Sequence, residues 1–281
     1  MNIFVDANHQ LRSGWKFATF LAIFLFILFA LAQLISSFID PQNMPSDELT
    51  LLALNAGVIL IPTAIAFFIM ARFVDHKPLR AFGVGFPERW KREFVLGVAI
   101  AGVMLALLLA GCGLFGNLKM TWTGELSSAG RMTLTLVLLM IAAANEELLF
   151  RGYPLQVLMH GIGVWPATVL MSVIFGAMHL ANPSASALST ANTIIAGVML
   201  SIAYIQTRWL WLPYGIHIGW NAGHGWVLGF PLSGLDISSL WTTNVTGNDL
   251  MLGGSYGPEA GLLGTLLFTG AAVMVKRGFS K

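Results

Sequence analysis

Ala144-Asn145-Glu146-Glu147-Leu148-Leu149-Phe150-Arg151-Gly152 puts two adjacent carboxylates and an arginine inside an otherwise apolar run. Residues 132–144 (MTLTLVLLMIAAA) carry no charge, and Leu148-Leu149-Phe150 resume the apolar pattern. An ionisable side chain in hydrocarbon costs roughly 2.5–3.5 kcal/mol on insertion scales. Two acids side by side therefore point to a polar cavity in which they act. The competing reading ends the helix at Asn145 and leaves both acids and Arg151 in headgroup water.

The composition around this stretch is that of a membrane protein. Of 281 residues, 56% are hydrophobic and only 10% charged, with a mean hydropathy of +0.76. Soluble domains carry about 25% charged residues. The single cysteine, Cys112, lies in an apolar run, which excludes an intramolecular disulfide and reads as a small buried hydrophobe. The net charge of +2 comes with no basic stripe outside the membrane-flanking segments, so nucleic acid is not an expected partner.

Residues 17–35 (FATFLAIFLFILFALAQLI) are apolar for too long to be a cleavable signal and long enough to span about 30 Å of hydrocarbon. Further apolar stretches follow at 50–71, 94–115, 132–152, 164–180, 190–206, 209–229 and 258–275. The expected fold is an all-α polytopic membrane protein of about eight transmembrane helices, one membrane domain over 1–281. With the N-terminus cytoplasmic, every lysine and arginine except Lys119 and Arg131 falls inside. The outer loops then hold Asp40, Asp47, Glu48, Glu125, Asp236, Asp249 and Glu259. This asymmetry predicts both termini on the cytoplasmic side of a cell inner (plasma) membrane, with the lipid bilayer as standing partner.

Two segments read as ordinary. Arg89-Trp90-Lys91-Arg92 suits an interfacial anchor, with docking of anionic lipid as the weaker alternative. Gly253-Gly254-Ser255-Tyr256-Gly257 has the spacing of a serine-hydrolase elbow but no strand before it, and is set aside. Asn244-Val245-Thr246 fits a glycosylation sequon, a pattern common by chance.

Polar residues within the spans carry the chemistry. Glu147 and Arg151 are i,i+4 with the acid first, the favoured order for an ion pair. Glu146 points about 100° away on the same helix. This suggests Arg151 holding Glu147 while Glu146 works, with Gly152 admitting a neighbouring helix. In Phe175-Gly176-Ala177-Met178-His179, the histidine gains interest from depth. Gly161 and Gly163 predict a turn near 162; Glu146 lies sixteen residues before it and His179 seventeen after, so an antiparallel hairpin brings them level. In His217-Ile218-Gly219-Trp220-Asn221, His217 and Asn221 share one face. Gly215, Gly219 and Gly223 form a small-residue stripe suited to close packing, and His224 sits near the outer end.

Glu-Glu-x-x-x-Arg, Phe-x-x-x-His and His-x-x-x-Asn, in this order on three spans, resemble the CPBP family of type II CAAX prenyl endopeptidases and bacteriocin-processing (Abi) relatives. The resemblance covers about residues 131–228. It implies an eight-helix intramembrane protease with Glu146, Glu147, Arg151, His179, His217 and Asn221 as functional residues. Its expected substrate is a membrane-associated peptide or protein.

The residue types suit that activity. Glu146 can act as general base on a water shared with His179, and His217 and Asn221 can donate to a developing oxyanion. No span offers a serine paired with a base; Ser172 and Ser201 stand alone. Glu146, His179 and His217 are also a three-ligand zinc set, although no H-E-x-x-H occurs. The metal-free version, with no cofactor, is preferred. A non-proteolytic scaffold or immunity protein of the same fold and a proton-coupled transporter are the alternatives.

Overall fold

The computed structural model describes residues 3–6, 9–38, 47–123 and 129–278. Asp40, Glu125 and Lys281, used above to weigh the loops, lie outside the described residues. The chain runs α1 (Ser13–Phe38), α2 (Glu48–Ile69), α3 (Trp90–Phe115), β1 (Gly116–Trp122), α4 (Ala129–Glu147), α5 (Tyr153–Ile162) and α6 (Val164–Met178). It continues through α7 (Ala187–Thr207), α8 (Trp211–Asn221), β2 (Trp241–Gly247), α9 (Asp249–Leu252) and α10 (Leu262–Gly278).

All eight apolar stretches are helical. Six helices are long and apolar enough to cross a membrane among the described residues, fewer than the eight expected. The other two stretches are shorter: α8 runs on only through the π-helical turn Ala222–Val227, and α10 has 17 residues. Large apolar side chains face outward along the long helices, Phe26 being 73% and Leu114 76% exposed. Such a surface suits lipid and not water.

Local chemistry sets the helix ends. Asp47 caps α2 by accepting from the Thr50 amide at 3.2 Å and hydroxyl at 2.6 Å, bonds that hold its carboxyl below the ordinary value. Ser186 and Ser189 form a reciprocal capping box on α7. Gly163, with φ of 89°, makes the turn between α5 and α6 where the sequence places it. α4 runs through a π-helical turn, Leu148–Gly152, into α5, with the backbone of Gly152 departing from helical geometry at the junction, and Ala129–Ile162 makes one 34-residue span with Glu146 at its middle.

One element was not expected in an all-α chain. β1 and β2 pair antiparallel, Gly116 opposite Gly247 through Trp122 opposite Trp241. The segment 230–257 is therefore partly a strand, and the Asn244 sequon lies within it. Gly254–Tyr256 is a 3₁₀ turn with no elbow geometry.

Contacts sort the loops onto two faces. On one, Lys16 pairs with Asp75, a Cβ on Gly161 would meet Ser13 at 2.5 Å, Trp211 donates to the Gly85 carbonyl, and Gln206 donates to the Lys276 carbonyl. On the other, Glu48 accepts from the Ser238 amide and hydroxyl, and Trp226 donates to the Met132 carbonyl. The first face gathers the basic loops 72–92 and 276–277.

The α8 glycine stripe packs on α3. A Cβ on Gly215 would lie 2.3 Å from the Phe94 carbonyl oxygen, and one on Gly219 2.9 Å from Ala101 Cβ. This contact turns His217 and Asn221 inward. One apolar core (including Met104, Leu108, Cys112, Met199 and Phe268) fills the α3–α7–α8–α10 side, and a second (including Phe20, Phe67, Phe150, Tyr153 and Phe175) the α1–α2–α5–α6 side.

Candidate active site

Where these cores meet lies a cavity of about 200 Å³. Glu146, His179, His217 and Asn221 all line it. The four residues chosen from sequence for catalysis are thus brought to one space, together with Phe175, Ser233 and Glu259.

The adjacent acids take separate environments. Glu147 is 1% exposed, and its Oε1 accepts from Arg151 Nη1 at 3.2 Å. Arg151 is equally buried, donates through Nη2 to the Gly197 carbonyl at 3.2 Å, and lies 4.6 Å over the Phe175 ring. The reading with these groups in headgroup water is overturned, and Arg151 is no loop cation. Glu146, by contrast, keeps 30% of its side chain exposed to the cavity.

His217 joins the two acids. Its Nδ1 lies 2.8 Å from Glu147 Oε1, and its Nε2 3.6 Å from Glu146 Oε2. A carboxylate only accepts, so the Glu147 contact places a proton on Nδ1. Glu147 therefore has a second task beyond pairing with Arg151, which the sequence did not disclose, because the partner lies 70 residues away.

His179 closes α6, whose 15 residues stop about half-way along the α4–α5 span. Its Nδ1 lies 2.8 Å from the Phe175 carbonyl, which again requires the proton there and leaves Nε2 as an acceptor. Asn221 follows His217 by one turn and is succeeded at once by the π-helical turn Ala222–Val227. π turns commonly interrupt α-helices at functional positions, and here one follows each of the Glu146–Glu147 and His217–Asn221 pairs.

The other candidates fall away. Ser201 Oγ donates to the Gly197 carbonyl at 2.8 Å, and buried Ser172 packs against Gly197. Cys112 is a buried core thiol. His224 is fully buried between Trp220 and Phe230, away from the cavity wall. As for zinc, His179 and His217 each keep Nε2 free with Nδ1 held, as a metal-ligating imidazole also does, while no three His, Cys, Asp or Glu side chains gather closely enough to hold a metal ion among the described residues.

Glu259 was read as an outer-loop acid; it is 9% exposed and lines the cavity. Its only sequence signal is its position at the start of the last apolar stretch, shared by any loop acid.

No curated protein and no solved structure matches the chain. A family model described as Rce1-like, type II CAAX prenyl endopeptidase Rce1-like, matches residues 128–223, the segment that carries all three motifs. Over that segment, about a third of the chain, the protein is similar to the Rce1-like type II CAAX prenyl endopeptidases, which supports assignment to the CPBP (CAAX protease) family.

Proposed function

We propose that this protein is an intramembrane endopeptidase that hydrolyses a peptide bond in a membrane-associated peptide or protein, with water activated by Glu146. The observation that carries this reading is the exposure of Glu146 to a cavity at mid-span, with His217 Nε2 3.6 Å from its carboxylate. Glu147 is occupied by Arg151 and His217, which leaves Glu146 the acid able to reach water.

Glu146 takes a proton as the water oxygen attacks the scissile carbonyl carbon. His179 Nε2, a lone pair on the same cavity, accepts from that water and orients it. His217 has a carboxylate toward each ring nitrogen; in its doubly protonated form Nδ1–H is held by Glu147 and Nε2–H is free for the oxyanion. The Asn221 amide is the second oxyanion donor. Each such donor is worth about 3–4 kcal/mol in other hydrolases. Collapse of the tetrahedral intermediate breaks the C–N bond, and the leaving amine takes the proton from Glu146. Glu147 and Arg151 are positioning residues for His217.

Prenylated and bacteriocin-like chains are the substrate classes suggested by the family. Eight crossings with both termini cytoplasmic in the inner (plasma) membrane remain the topology we favour, on the basic loops of one face.

Purified protein in liposomes should cleave members of a membrane-anchored peptide library, and Glu146→Gln should lower the rate by at least about a thousandfold with the fold kept. Retained cleavage in the folded variant would remove Glu146 as the base.

A further inference from the structure

Hydrolysis leaves one charged wall of the cavity unused. Glu259 lies beyond the matched residues 128–223, yet its side chain faces the same space as Glu146 and Asn221. Its Oε1 accepts from Trp220 Nε1 at 2.7 Å; its Oε2 accepts from the Ser233 amide at 2.8 Å and hydroxyl at 2.9 Å. Its backbone carbonyl accepts from Asn192 Nδ2 at 2.7 Å, which fixes the residue against α7.

All of these donors are neutral. None of the ion pairs among the described residues involves Glu259. His224, behind Trp220, has neither ring nitrogen hydrogen-bonded. No lysine or arginine lines the cavity among the described residues. A buried carboxylate without a counter-ion is costly, and Oε1, with one donor, retains a lone pair for another. The rest of the wall is largely apolar, which excludes competing partners.

We propose that Glu259 is a specificity determinant that receives a cationic group of the substrate: a lysine or arginine side chain, or a primary ammonium. This rests on the proteolytic reading of the cavity and adds its substrate chemistry. Glu259 lines the same cavity as Glu146 and Asn221, so the cation is held in the space that holds the reacting carbonyl.

The test uses acyl-anchored peptides in which one lysine, norleucine or glutamate is moved through the positions flanking the cut bond. Binding to the Glu146→Gln protein in nanodiscs is read by fluorescence anisotropy, and cleavage by the unaltered protein is read on the same peptides. At one position lysine should bind about tenfold tighter than norleucine, and glutamate weaker than both. Only the lysine-to-norleucine ratio is compared between variants, so a general loss of binding cancels. In the Glu146→Gln background, adding Glu259→Gln should bring that ratio to about one. So should adding Ser233→Lys, which supplies an internal ammonium beside the intact carboxylate. No lysine preference at any position, or a preference that survives both changes, overturns the proposal. Lysine-dependent binding without any cleavage overturns the proteolytic reading and leaves Glu259 as a cation site. Cleavage with no lysine preference overturns Glu259 alone.

Discussion

Glu147 Oε1 and His217 Nδ1, 2.8 Å apart, tie α4 to α8 across the middle of the bundle. The same oxygen takes the Arg151 guanidinium at 3.2 Å. One buried carboxylate thus satisfies a cation on its own helix and fixes a ring on another.

Breaking this arrangement from one side should be severe. Glu147→Gln leaves Arg151 buried without its counter-charge, and removing one partner of a buried pair costs about 3–5 kcal/mol. The double change Glu147→Gln with Arg151→Met should recover much of that stability in denaturant titrations in detergent. It should not recover cleavage, because His217 still lacks its carboxylate. Restored activity in the double variant would show that Glu147 serves the ion pair only.

Chelation separates the two chemistries first weighed for the motif residues. Cleavage should survive a strong zinc chelator, since Glu146, His179 and His217 do not gather as a ligand set. Loss on chelation with recovery on added zinc would assign these three residues to a metal and replace the glutamate-water mechanism.

The packing of α8 on α3 is graded along its stripe. Gly215→Ala drives a methyl against the Phe94 carbonyl, which lies 2.3 Å from the Cβ position and cannot swing away. It should destabilise by about 1–3 kcal/mol or more, and lower cleavage by moving His217. Gly223→Ala meets only the Leu105 side chain and should cost less. Gly102→Ala on α3, with nothing within 4 Å, is the silent control. Equal effects at Gly215 and Gly102 would contradict this packing.

Topology has its own check. Reporter fusions after Gly278 and within 76–89 should report the same side of the membrane, and fusions in 235–240 the opposite side. A C-terminal reporter opposite to that in 76–89 would remove one crossing from the eight.

Much of this was legible in the chain. The apolar runs place the helices, because burial in lipid demands long uncharged segments whatever their neighbours do. The Gly163 turn makes α5 and α6 antiparallel, and the depth argument for Glu146 and His179 then follows from helical rise alone; both line the cavity. Spacing within a helix also foretold the Glu147–Arg151 pair. What escaped depends on partners distant in sequence. The Glu147–His217 bond and the Glu259–Trp220–Ser233 network have no local periodicity. The β1–β2 ribbon escaped because its two strands lie more than a hundred residues apart. Of the eight expected crossings, six meet the length of a membrane span among the described residues, and α8 and α10 are apolar but shorter.

The π-helical turns have a consequence for how this site tolerates change in length. Such a turn holds one residue more than α-helical pitch requires. Within Leu148–Gly152 a one-residue deletion can be absorbed by reversion to α pitch, whereas elsewhere in the Ala129–Ile162 span it rotates everything downstream by about 100°. The helix would persist in either case, but in the second the residues beyond the deletion would turn away from the faces they now pack. The wide turn therefore sets an angular offset between the two halves of one rod, holding the half that carries the acids in phase with the half that packs on α1.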